Sequence, residues 1–322
     1  MNKFNSSLIK TKNNFKIINK KNLDSTNNKM YQIASCSKFI TCLVVGKLYE
    51  LGKLDYDTDI NKYLTKWKCP VKKITLRLLI SHRSGVIGGG VKGFAILNTT
   101  LPSNIEILSD NMNGVKFIEK PGIKWIYSSI GYQIIQQVLE EITGQYLYQL
   151  MDKYIFKPLK LKNSTGKVLY PKKHKYKLAK LKNCEYKLYP QTASAGIWMS
   201  TNDLFKIITD LSNGYKSDTS KLLKKDTLLL FCNERLGNFR VNKKRDNEIQ
   251  FGHDGSNYGY RMKMWCFPMI EESVIMMVNY DSSIINIHDK VDKHFDKHLK
   301  KSKKNIVRNS NKSYKSYKSV KK

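Results

Sequence analysis

The sequence predicts an α+β chain, and three observations carry that prediction. Apolar residues recur every three to four positions in the first two-thirds of the chain, as on amphipathic helices. Phe39, Ile40, Leu43, Val44, Leu48 and Leu51 do so before Gly52, and Ile134, Ile135, Val138, Leu139 and Ile142 before Gly144. From about residue 235 the period drops to two, and four short runs between turn residues read as consecutive antiparallel strands. The 322 residues are 41% hydrophobic and include 19 tyrosines, enough to bury a full core.

Taken in order, residues 1–30 are polar and basic, with one possible strand near Phe15–Ile18. The first strong helix follows Ser35 and stops at Gly52. Residues 54–64 alternate turn residues with apolar anchors and wrap under it. A short helix is expected within Ile74–Gly85, and Gly88-Gly89-Gly90 reads as a flexible turn without the lysine of a phosphate cradle. Pro121–Tyr132 is a turn entering the next helix; residues 146–156 continue helical until Pro158. A lysine-rich loop, 160–188, precedes a close backbone turn at Ala193–Asp203, and Thr201 or Asn202 could cap the helix that follows. The strands are expected at Asn238–Lys243, Glu248–His253, Tyr260–Phe267 and Ser273–Tyr280, with Gly255–Gly259 in a turn. A last helix, Ile284–Leu299, carries Ile285, Ile287, Val291 and Phe295 on one face. Residues 300–322 hold ten Lys/Arg and no acid, and predict a basic disordered tail.

The net charge is +32. Such a field attracts nucleic acid, anionic membranes or acidic proteins. A compositional bias rich in Lys, Asn and Ile would produce it equally. The six cysteines (36, 42, 69, 184, 232 and 266) form no C-x-x-C pair, so free thiols in a reducing, intracellular or cytoplasmic setting are expected, with no metal or cofactor. The N-terminus lacks an apolar core, so no signal peptide is expected, and no run approaches transmembrane length.

The chemistry begins at Ser35-Cys36-Ser37-Lys38. On a helix, residues three apart share a face. Ser35 then sits at the helix N-terminus, where free N–H groups favour a developing anion. Lys38 lies one turn in beside apolar residues, where partial desolvation would lower its pKa and free it to act as a base. On the tetrapeptide alone, an N-cap serine followed by a surface lysine is the favoured reading. Likewise Tyr127 is either a second acid–base group or a turn tyrosine packed on Trp125, and His253 a site residue or an ordinary strand-end histidine.

Five blocks in order change the weighing: Ile33–Lys38 with Gly52-Lys53-Leu54-Asp55, Ile74–Gly85 containing Ser81-His82-Arg83-Ser84-Gly85, Pro121–Tyr132 containing Tyr127-Ser128-Ser129, Ala195–Leu204, and Gly252–Arg261 containing His253-Asp254-Gly255. With them the chain resembles the serine β-lactamase-like family, in the branch of class C β-lactamases, D-alanyl-D-alanine carboxypeptidases and related esterases. The resemblance covers roughly residues 30 to 285. It implies a β-lactamase/transpeptidase-like fold, a mainly antiparallel sheet with flanking helices plus a helical lobe. The division would be one domain over 1–299, with a sheet lobe at about 1–55 and 190–299 and a helical lobe at about 56–189.

By motif match the resemblance implies Ser35 as nucleophile, Lys38 as its proton partner and Tyr127 as a general acid/base made usable by the lysine's charge. His253 would be the polar group on the strand edge, and Gly255 would leave room for substrate along that strand. The backbone N–H groups of Ser35 and Ser256 would form the oxyanion hole. A small-molecule or peptide-like acyl compound is the implied substrate, with polyanion contact through the basic tail.

Two departures stand out. The family's third element is usually Tyr-x-Asn, and here Ser129 replaces the amide that would hold a substrate carbonyl. A hydroxyl makes fewer hydrogen bonds, which favours simple esters over β-lactams. The 34 residues before Ser35 also leave little room for the family's N-terminal strand hairpin, so a missing edge strand is expected. A catalytically weak member that binds a polyanionic partner is the alternative these departures and the charge suggest.

Overall fold

The structure is a computed structural model, and it describes residues 5–11, 14–16, 28–95, 100–168, 178, 186–242 and 248–279. In chain order the first half runs β1 (Asn5–Thr11), β2 (Asn14–Lys16), β3 (Met30–Gln32), α1 (Cys36–Glu50), α2 (Leu76–Ile80), β4 (Val86–Ile87), β5 (Phe94–Ala95), α3 (Asn104–Ser109) and β6 (Lys116–Phe117). Next come α4 (Ile130–Thr143), α5 (Leu147–Met151), β7 (Ser164–Thr165), β8 (Lys187–Leu188), β9 (Trp198–Ser200) and α6 (Thr201–Ser217). The described chain ends with α7 (Lys225–Glu234), β10 (Phe239–Asn242), β11 (Glu248–Asn257), β12 (Tyr260–Phe267) and β13 (Glu272–Val278).

The main sheet has six antiparallel strands in the order β10-β11-β12-β13-β1-β2. Its second half corrects the expectation of a missing N-terminal hairpin. β1 pairs with β13 from Asn5 opposite Val278 to Lys10 opposite Ser273, and β2 folds back on β1 with Thr11 opposite Asn14. So tight a hairpin needs few residues, and it covers the β13 edge that would otherwise be left bare. A second correction concerns β11, which runs to Asn257 rather than ending at His253. Only Tyr258 and Gly259, the latter at φ +70°, turn the chain into β12. Gly255 and Ser256 read as turn residues, but they continue the strand.

Helix α1 is the centre of the molecule. Residues Cys36 through Val45 are all buried, without a polar stripe, so the helix is enclosed on every side. Phe39 stacks on Phe239 at 5.1 Å and on Phe251 at 6.1 Å, fixing one flank of α1 against the sheet. Burying an aromatic ring of this kind is worth about 2 kcal/mol or more. The other flank meets the tight turn Thr192–Gly196, where Thr41 Oγ1 donates to the Ala193 carbonyl at 2.9 Å.

Local signals explain most helix ends. Thr75 caps α2 by accepting from Leu78 N, and Gly144 ends α4 in the left-handed region. The cap of α6 is Ser200, which accepts from Asp203 N at 3.2 Å; neither Thr201 nor Asn202 serves. Helix α7 has no counterpart among the expected elements, since Leu228, Phe231 and Cys232 are too few to show a period. Among the described residues no helix is long and apolar enough to cross a membrane. Cys36, Cys42, Cys69, Cys232 and Cys266 are buried free thiols. Cys184, the expected helix 284–299 and the tail 300–322 lie outside the described residues.

Candidate active site

Ser35 stands at the N-cap of α1, at φ −60° and ψ −13°, directly after Ala34 in the left-handed region at φ +49°. A non-glycine residue there is uncommon, and the turn it makes presents Ser35 at the mouth of the buried helix. The N–H groups of Cys36, Ser37 and Lys38 donate to the carbonyls of Ile33, Ala34 and Ser35. Among the described residues no acceptor takes the Ser35 N–H. It is therefore available to a developing oxyanion.

Lys38 is completely buried, and its Nζ lies 3.3 Å from Ser35 Oγ. It donates to the Ser194 carbonyl at 2.9 Å and sits 5.0 Å from the centre of the Tyr127 ring. Burial pulls its pKa down to about 7. A good part of it is thus the neutral amine at neutral pH, with one N–H on Ser194 and its lone pair free for the serine proton. The expected partial desolvation is complete, because the turns of α1 around Lys38 have no solvent face.

Ser194 was not singled out in the sequence. It lies in the Thr192–Gly196 turn, and its Oγ accepts from Gln133 Nε2 at 2.7 Å. Gln136 Oε1 accepts from Ala193 N at 3.2 Å, so two amides of α4 hold the turn that holds the lysine. The signal was present as polar residues on an apolar helix face, Gln133 and Gln136 beside Ile134 and Val138. Buried amides of that kind need partners.

Tyr127 precedes α4, its hydroxyl lies next to those of Ser35 and Ser129, and the residue is 42% exposed. Its pKa is raised, chiefly by burial, and the hydrogen bonds from Ser35 and Ser129 offset this only in part. The shift runs opposite to the lowering expected from the lysine's charge, so the phenol keeps its proton. Ser129 starts α4 without capping it; the capping hydroxyl is that of Ser128, which accepts from Gly131 N at 3.0 Å. The Ser129 hydroxyl is thereby left for Tyr127.

His253 comes from β11, where its ring lies 6.2 Å from that of Tyr127. Burial, and then the charge of Lys38, push its pKa down to about 3, so it is neutral. Its Nδ1 meets the Asp254 carbonyl at 2.5 Å, which places the proton there. Nε2 is left as a buried acceptor. A neutral ring with a lone pair offers no cation to a substrate carboxylate.

Gly255 has a different task from the one expected. A Cβ on it would lie 2.5 Å from the Ile33 carbonyl, 3.1 Å from Ala34 Cβ and 3.3 Å from Ser35 N. The glycine makes room for the turn that carries Ser35. Ser256 follows it on the stretch of β11 that extends past β10, whose pairing covers only Glu248 to Phe251. The structure therefore brings Ser35, Lys38, Tyr127, Ser129, His253 and Gly255 into one cluster, with Ser256 the next residue along its edge.

Comparison with known proteins matches a family model, described as Beta-lactamase, to residues 19–289. The teichoic acid D-alanine hydrolase of Staphylococcus aureus is 27% identical over 215 residues, covering 63% of this chain and 50% of that protein. The chain thus spans about half the length of the curated relatives it matches. Among solved structures, D-amino acid amidase from Ochrobactrum anthropi SV3 superposes with a TM-score of 0.70 at 16% identity, covering 91% of this chain and 94% of that one. A penicillin binding protein from Bacillus halodurans gives a TM-score of 0.67 at 16% identity, covering 89% and 94%. At such identities the structural likeness speaks for the fold. The family match is longer than the site itself and includes every residue of the cluster: the chain belongs to the Beta-lactamase family.

Proposed function

We propose that the chain is a serine hydrolase acting through an acyl-enzyme on Ser35, with small acyl esters, D-aminoacyl esters among them, as its substrates. The observation that carries this is the buried Lys38, 3.3 Å from Ser35 Oγ with its pKa drawn down to about 7. Neutral Lys38 takes the Ser35 proton as Oγ attacks the ester carbonyl, and the oxyanion rests on the amides of Ser35 and Ser256. As the intermediate collapses, the bond to the leaving alkoxide breaks and Tyr127 supplies its proton. The phenolate is recharged by the Lys38 ammonium. Water then attacks the acyl-serine, and the net reaction is ester plus water to acid plus alcohol.

The ester preference rests on two features of the site. Ser129 offers one hydroxyl where an amide would hold a β-lactam or peptide carbonyl. His253 is neutral, so the strand-edge position supplies no cation to a carboxylate-bearing substrate. The D-aminoacyl class is favoured because relatives are named for teichoic acid D-alanine and for D-amino acid amides. The net charge of +32 favours an acyl group borne on an anionic polymer over a neutral carrier.

Labelling with a fluorophosphonate followed by peptide mass spectrometry tests the nucleophile. The adduct is expected on the peptide containing Ser35 and is expected to vanish in Ser35→Ala. An unlabelled Ser35 in the folded protein would overturn the reading. For the substrate, D-alanyl and L-alanyl methyl esters should differ in kcat/KM, the D form being faster.

A further inference from the structure

His82 takes no part in the chemistry above, yet it touches the segment around Tyr127 at three points. Its carbonyl accepts from Ile126 N at 2.8 Å, and its Nδ1 accepts from Ser128 N at 3.1 Å. The residues on either side of Tyr127 are therefore both hydrogen-bonded to the same histidine. The ring itself lies 4.7 Å from the Tyr127 ring and 5.7 Å from that of Trp125. His82 stands just past the end of α2 in the left-handed region at φ +58°, where its own N–H donates to the Leu79 carbonyl and that of Arg83 to the Leu78 carbonyl. It is almost completely buried. A buried histidine that accepts from two backbone amides, one on each side of the same tyrosine, does more than fill a core.

We propose that His82 is the positioning residue of the acid half of the site: it clamps the backbone at Ile126 and Ser128 so that the Tyr127 hydroxyl points at Ser35. This rests on the reading of Tyr127 as the acid that protonates the leaving group. An Nδ1 that accepts from an amide carries no proton, so the ring's proton is on Nε2. Burial, with Lys38 and His253 nearby, keeps the ring from taking a second one, its pKa being about 3. The clamp is thus unchanged through the working pH range. The segment is tied again one turn away, where Gly122 N donates to the Arg83 carbonyl at 2.7 Å and Arg83 Nη2 to the Gly122 carbonyl at 2.6 Å. Those ties fix the outer part of the loop, and His82 fixes the tyrosine.

The leaving group supplies the readout. A 4-nitrophenolate departs without a proton, whereas an alkoxide needs one from Tyr127. In His82→Leu, kcat/KM for an alkyl ester should fall by about 10- to 100-fold, while that for the nitrophenyl ester stays within about 3-fold. Active-site titration with the fluorophosphonate normalises both rates to folded enzyme, so lost stability alone moves them together. His82→Asn keeps an acceptor and tolerates the left-handed backbone; it should hold the alkyl-to-nitrophenyl ratio within about 3-fold of the parent, by the same reasoning. If His82→Leu does not fold, this variant decides alone. An unchanged ratio in folded His82→Leu, or a collapsed ratio in His82→Asn, would overturn the clamp. Tyr127→Phe separates the two levels. If it too leaves the ratio unchanged, the acid role of Tyr127 is what fails; if it collapses the ratio while His82→Leu does not, only the clamp does.

Discussion

The two sides of Ser35 are made from opposite materials. Lys38 stands on a helix enclosed on every side, with buried residues before and after it. Tyr127 stands on a loop whose neighbours Ile123 and Trp125 are 63% and 64% exposed, and which is held at the tyrosine by one histidine. Burial acts on both groups and moves them in opposite senses, the lysine down to about 7 and the tyrosine up. Desolvation penalises whichever form is charged, so one environment favours both a neutral amine and a neutral phenol. On the proposed mechanism the base half is a property of the core, and the acid half a property of a loop and its clamp.

The severest break in that comparison is to keep the base half charged. Arginine does not deprotonate in proteins. Lys38→Arg and Ser35→Ala should each cut kcat/KM for an activated ester by roughly 10³ or more, and the double variant should cost little beyond either. Steady-state rates on nitrophenyl acetate, with circular dichroism to confirm folding, check this. Parent-like turnover in Lys38→Arg would show that the lysine is not the base.

Gly255→Ala strikes the base half from outside. The new methyl would press on the Ile33 carbonyl, 2.5 Å away, and push the turn that carries Ser35. A displacement near 1 Å at the reacting atoms costs about 10²-fold, so a loss of that order is expected in kcat/KM. Backbone rather than a flexible side chain is in the way, so thermal unfolding should also shift down. Full activity in this variant would mean the turn has slack that the packing does not show.

The pH profile sharpens the contrast without a mutation. Below about 7 the ascending limb of kcat/KM should fall by a factor of ten per pH unit, because the Lys38 ammonium has no lone pair. Tyr127 is raised above its ordinary value, so no descending limb from it is expected below about pH 10. Stability follows with a definite sign. Between about 7 and the ordinary lysine value of 10.5 the unfolded chain holds a proton the folded chain has released. The contribution of Lys38 therefore rises with pH across that window. A midpoint near 10 in the rate profile would put the lysine outside a desolvated site.

Much of this was legible in the sequence. The helix after Ser35, the strands after residue 235 and the residues of the cluster follow from period, glycine stops and five ordered blocks. What stayed hidden depended on distance across the fold. Gly255 looks like a turn glycine or substrate space, and only the passage of Ile33–Ser35 beside β11 shows why a side chain is forbidden. The direction of the Tyr127 shift depended on whether burial or the lysine's charge prevails, and residue spacing holds no measure of burial. The polar N-terminal residues concealed a hairpin because its strand partner, β13, lies more than 260 residues away. Ser194 holds Lys38 through a backbone carbonyl, which no residue type reveals.

The mildest perturbation tests specificity on the acid half. Ser129 sits beside Tyr127, but it presents nothing like an amide to a substrate carbonyl. Ser129→Asn restores a donor and an acceptor there, and one added neutral hydrogen bond is worth about 1 kcal/mol, or roughly 5-fold. Penicillin acylation should rise by that factor, while the neutral His253 still withholds a cation from the penicillin carboxylate. Simple esters should therefore remain the faster substrates even in the variant. Stopped-flow acylation with a fluorescent penicillin, set against kcat/KM for a methyl ester, measures both. If penicillin already outpaces the ester in the parent chain, then neither the missing amide nor the uncharged histidine governs what this site accepts.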